Sequence, residues 1–120
     1  MSFEPLLNHL LESVQGSLSA AMFDGDGELV QIVSREGMDQ HRLRLIGAYE
    51  SIFHRSLTDV LALTHCTNTR YHFACYTGGV ILTCPLADGY FLMLYCDPAC
   101  NIGQALRRLR ESRTRVVEEM

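Results

Sequence analysis

The residues with chemistry to offer are five cysteines, five histidines, ten arginines and one Gly/Asp cluster. The cluster, Asp24-Gly25-Asp26-Gly27-Glu28, invites a calcium reading. An EF-hand loop needs about twelve residues and closes on a bidentate glutamate. Here Leu29-Val30-Gln31-Ile32-Val33 follows, with no carboxylate, so a hairpin turn is the better reading. The cysteines stand at 66, 75, 84, 96 and 100. Structural zinc uses closely spaced pairs of ligands. Only Cys96 and Cys100 approach that spacing, and no second pair exists, so no metal site is expected. Cys75 and Cys84 read as small apolar fillers of a strand face. Cys100, near the start of a last helix, is a candidate reactive thiol.

Nucleophilic catalysis needs a nucleophile, a base and an orienting group held together. His9, His41, His54, His65 and His72 show no such grouping with a serine or cysteine. Gly78-Gly79 lacks the lysine and helix of a phosphate loop. No catalytic set is legible, so the expectation is a non-enzyme without cofactor. All ten basic residues are arginines, and five of them crowd Arg107 to Arg115. Glu111, Glu118 and Glu119 interleave there, and the net charge is −4, which argues against nucleic acid. A partner with an acidic surface stays open. An odd cysteine count and the absence of a basic, apolar leader or a spanning stretch lead us to expect a cytoplasmic protein.

The elements that position these residues follow from periodicity. Phe3, Leu6, Leu7, Leu10, Leu11 and Val14 form one helical stripe, with Ser2 as N-cap and Gly16 as stop. Ser17–Phe23 and Glu28–Val33 flank the Gly/Asp turn as a hairpin. Asp39 caps a second helix over about 40–64, whose stripe includes Leu43, Ile46, Tyr49, Phe53 and Leu57; a break near Ser56–Asp59 is left open. Tyr71–Tyr76 and Val80–Leu86 alternate around Gly78-Gly79, which as the loop sets Cys75 opposite Leu82 and Phe73 opposite Cys84. Pro85 belongs near a strand end. Tyr90–Cys96 is apolar without alternation and should be a central strand covered on both faces. A last helix follows Asn101. The expected fold is an α/β (α+β) sandwich, a five-stranded antiparallel sheet with helices on both faces, in the order α-β-β-α-β-β-β-α.

This pattern resembles the roadblock/dynein light chain (roadblock/longin-like) family, in its bacterial stand-alone type. The resemblance rests on three stretches: Ser19-Ala20-Ala21-Met22-Phe23-Asp24-Gly25-Asp26-Gly27-Glu28-Leu29-Val30 after the opening helix, Ala87-Asp88-Gly89 before the apolar strand, and Asn101-Ile102-Gly103. It implies one roadblock-type domain over residues 1–120. It further implies a homodimer, or a heterodimer with a paralogue, sealed by the third strand and the second helix. Tyr71, Phe73, Cys75, Tyr76, Ile46, Tyr49 and Phe53 would then lie at the interface. It implies a small Ras-like GTPase as partner; the short apolar runs and the net charge of −4 lead us to expect no membrane and no nucleic acid. The exposed second-helix face around His41, Arg42, Arg44 and Arg55 is the candidate docking surface. The alternatives are an adaptor insensitive to nucleotide, or a thiol or ligand sensor using Cys96 or Cys100.

Overall fold

The computed structural model describes residues 2–64 and 69–120. His65 and Cys66 lie outside the described residues. Along the chain run α1 (Glu4–Ser13), β1 (Ser17–Phe23), β2 (Leu29–Ser34), α2 (Gln40–Leu63), β3 (His72–Tyr76), β4 (Gly79–Pro85), β5 (Phe91–Cys96) and α3 (Ile102–Glu119). The five strands form one antiparallel sheet in the order β2-β1-β5-β4-β3. The element order and the central place of the apolar strand are as expected from sequence.

β5 is buried at all six positions. On one face Leu92, Leu94 and Cys96 join Ala20, Met22, Val80, Leu82 and Cys84 beneath α1 and α3. On the other, Phe91 and Met93 join Ala21 and Phe23, with the Phe23 and Phe91 rings stacked at 5.1 Å. One helix, α2, crosses that second face. Its close approach depends on Gly47, where a Cβ would collide with the Phe23 ring. Ser51 and Gly27 make the next contact: Gly27 adopts φ +82°, and a Cβ there would come within 2.9 Å of the Ser51 Cβ.

Local chemistry sets the element ends. Asp39 caps α2 by accepting from Arg42 N at 3.2 Å, and Asn101 caps α3 by accepting from Gln104 N at 3.0 Å. Asp24 accepts from the backbone N–H groups of Asp26 and Glu28 at 2.9 and 3.0 Å, so the turn itself consumes the carboxylate that a cation would want. Pro85 ends β4, where its missing N–H leaves no ladder bond unmade.

Two details differ from the sequence reading, and the structure decides a third that the sequence left open. Ser2 is not the N-cap of α1: Phe3 takes that position, although the Ser2 hydroxyl still accepts from Glu4 N at 3.2 Å. The α2 helix runs unbroken through Ser56–Asp59, because the Thr58 hydroxyl returns to the His54 carbonyl at 2.8 Å rather than capping a new start. The β3–β4 loop is Thr77-Gly78, not Gly78-Gly79. Tyr76 therefore pairs with Gly79, Cys75 with Val80 and Phe73 with Leu82. A shift of two preserves every side chain's face. Gly79 belongs inside the ladder because a Cβ there would meet the Cys96 carbonyl oxygen at 2.6 Å.

The Gly47–Phe23 contact is the tightest constraint on α2. Gly47→Ala gains about 1 kcal/mol of helix propensity, yet overpacking costs about 1–3 kcal/mol. We expect a lower urea midpoint for G47A, and a midpoint at or above the parent's would show that α2 has room to move.

Candidate functional site

Among the described residues α2 is the single helix on its face, and much of its surface meets none of the others. Leu43, Gly47 and Ser51 are buried. On the outer side Leu45, Tyr49, Ile52, Val60 and Leu63 follow one another at i, i+4, i+7, i+15 and i+18 and stand exposed, Tyr49 by 65% and Leu63 by 82%. The helix thus carries two apolar stripes, one for the sheet and one for something else. Beside it lies β3, an edge strand with four of its five residues exposed. Alternation sends Tyr71, Phe73 and Cys75 toward the α3 side and His72, Ala74 and Tyr76 toward α2.

Between α2 and β3 sits a small titratable cluster that sequence alone did not reveal. The Glu50 carboxylate accepts from the Thr83 hydroxyl at 3.2 Å, and its Oε2 lies 3.7 Å from His72 Nε2. The His72 ring stacks near His54 at 6.3 Å and meets Phe53 edge-on at 5.2 Å. Burial pushes the His54 imidazole below its ordinary pKa. Burial and then the neighbouring His54 do the same to His72. Burial raises the Glu50 carboxyl, with the Thr83 hydrogen bond pulling the other way. Burial thus favours the neutral imidazoles, and His72 Nε2, 3.7 Å from Glu50, has no hydrogen-bond partner among the described residues.

The expected interface residues divide by face. Phe53 (51% exposed), Tyr49 and Tyr76 lie on the α2 side, whereas Phe73 (45% exposed) and Tyr71 lie on the α3 side. Ile46 is drawn partly into the second core beside Phe23. Cys75 is exposed rather than a buried filler, because β3 overhangs the helices at the sheet edge, whereas Cys84 is buried as expected. The basic residues also separate. His41, Arg44 and Arg55 share one flank of α2 by helical rotation, and the Arg55 guanidinium reaches the Ser51 hydroxyl at 3.4 Å. Arg42 lies off that flank by helical rotation, and its charge pulls against the rise of the Tyr76 hydroxyl, which burial and a hydrogen bond with Tyr95 push up to about 12.

The thiol reading loses one of its two candidates, Cys96. Its side chain is fully buried, and burial together with Cys100 and Asp97 drives the thiol well above its usual range. A reactive thiolate needs the opposite shift. Among the described residues no three His, Cys, Asp or Glu side chains gather as a metal site. No described helix is long and apolar enough to cross a membrane.

No family model matches the chain, and no curated protein does either. Solved structures do. The Roadblock/LC7 domain from Streptomyces avermitilis superposes with a TM-score of 0.84 at 14% identity, covering 99% of this chain and 98% of that one. MglC from Myxococcus xanthus gives 0.74 at 20% identity over all of both chains. The gliding protein MglB from Thermus thermophilus gives 0.80 at 13% identity, over 98% of this chain and 89% of that one. The architecture is therefore the roadblock/LC7 fold, as the sequence resemblance implied.

The sequence signals for α2 were partial. The stripe read from sequence, Leu43, Ile46, Tyr49, Phe53 and Leu57, mixes the two faces: Leu43 is buried, whereas Tyr49 and Phe53 stand exposed like Leu45 and Ile52. The Glu50–His72 contact joins residues from different elements and carries no local signature.

The histidines set a pH dependence whose sign follows from burial. Both folded-state pKa values lie below the ordinary 6.5, so the unfolded chain binds protons first. Their stabilising contribution is full above that value and is lost as pH falls through it. The raised Glu50 works in the opposite sense, its contribution being full below about 4.5 and lost as pH rises. We expect the urea midpoint to fall between about pH 7.5 and pH 5.5, and to fall less in a His54→Asn/His72→Asn variant. An unchanged slope in that variant would place the titration elsewhere.

Proposed function

We propose that this chain acts as a homodimer that binds a small Ras-like GTPase and modulates its nucleotide cycle, with residues 1–120 working as one unit. One observation carries the reading. A long helix and an edge strand, adjacent on the sheet, leave an apolar surface uncovered on a fold shared with roadblock/LC7 proteins. An unpaired apolar edge is a hazard unless another chain covers it. A second copy meets that need if β3 pairs with its twofold mate and the outer stripes of α2 pack together. The His41, Arg44 and Arg55 flank then stays on the outside of the dimer. It offers cationic donors to a nucleotide-loaded partner.

Phe73→Asp and Tyr49→Asp test the seam. Each is exposed in the single chain, so folding should survive, and light scattering should show monomer or aggregate. An unchanged dimer in both would place the interface elsewhere. Pull-down of the cognate GTPase in each nucleotide state, followed by GTP turnover with and without this chain, tests the docking. Arg44→Ala/Arg55→Ala should weaken capture roughly tenfold, the scale of one or two charged contacts. Capture insensitive to nucleotide would support the adaptor reading, and no capture in either state would overturn both.

A further inference from the structure

On the other side of the sheet, a cleft of about 560 Å³ opens between α3 and the residues leading into β3. Arg70, Arg107, Arg110 and Arg113 line it, together with Tyr71 and Glu111. Three of the arginines recur at i, i+3 and i+6 on α3, and Arg70 approaches from the opposite wall. Two are already anchored by neutral groups. The Arg110 guanidinium sits 5.8 Å from the Tyr71 ring centroid, and Arg113 Nε donates to the Pro85 carbonyl at 2.8 Å. Their remaining N–H donors are held in place without being neutralised. The single carboxylate of the lining, Glu111, is engaged by Arg108 at 3.1 Å. Among the described residues, none of the four lining arginines forms a salt bridge.

We propose that this cleft binds a small phosphorylated molecule through its phosphoryl or pyrophosphoryl group. Four guanidiniums facing one occupied carboxylate call for a ligand with more than one negative charge. A carboxylate is satisfied by one bidentate arginine, whereas a phosphate monoester brings about −1.5 to −2. The cleft has the volume of a small-molecule site. It is too compact for an extended polyanion, which the net charge of −4 would also repel. Hydroxyls are at hand as well. Thr69 Oγ1 is buried in the wall with no hydrogen-bond partner among the described residues. The positive field reaches the buried Cys84 thiol in the same lining: burial pushes it up to about 11, and Arg113 and Arg110 pull against that rise. The proposal is independent of the docking surface, since none of the four arginines lies on α2.

Calorimetric titration of the full chain with inorganic pyrophosphate at low salt tests it. Saturable one-to-one binding is expected, weakened about tenfold by Arg110→Gln or Arg113→Gln and by added salt. Arg115→Gln, on α3 outside the cleft lining, should bind as the parent does. Parallel titrations with orthophosphate and a nucleoside triphosphate identify the source of the phosphoryl group, and succinate should not compete. Absence of saturable pyrophosphate binding at millimolar concentration would overturn the proposal. So would equal affinity in a folded Arg110→Gln/Arg113→Gln variant, equal competition by succinate, or binding of a phosphoserine peptide where pyrophosphate fails.

Discussion

Everything in this fold depends on a strand with no polar face. β5 is apolar at every position and buried at every position. Such a strand is stable only between two layers. The chain supplies those layers unequally. Two helices, α1 and α3, cover one face, and α2 alone covers the other. The Gly47–Phe23 contact brings α2 close enough to seal the second core. It does so over Phe23, Phe91 and Met93, and leaves the far side of α2 and the edge strand β3 without cover. The uncovered surface is therefore a consequence of the layer arithmetic and not a local accident.

How much of this was legible follows the range of each interaction. The β1–β2 turn, the Asp39 cap and the central apolar strand are written in a few adjacent residues, and each stands where the sequence placed it. The β3–β4 turn went astray by one position because two adjacent glycines offer two loops of equal local merit. What decides between them is the Cys96 carbonyl, which forbids a side chain at Gly79 and lies seventeen residues away in sequence. The α2 continuation shows the same limit. Ser56, Thr58 and Asp59 read as capping residues, but a hydroxyl that bonds back to the preceding turn serves a continuous helix equally well.

The candidate sites were legible in proportion to how far each lies within one element. The basic residues of α2 were legible as one cluster, but helical rotation sets Arg42 apart from His41, Arg44 and Arg55. The Glu50–His72–His54 cluster was not legible, because it joins α2 to β3 across a face that neither segment announces. The arginine cleft lies between these cases. Its three α3 arginines were visible as a cluster, but interleaved glutamates suggested a solvated helix face. Only the fold shows that Glu111 is engaged by Arg108 and that Arg70 comes in from the opposite wall.

The two surfaces meet at the start of β3. Tyr71, the residue before the strand, lies under Arg110 on one side, and His72, its first residue, lies against Phe53 and Glu50 on the other. β3 pairs on one side only, with β4. The residues just before it line the cleft and the strand itself borders α2, so one open sheet edge bounds both surfaces.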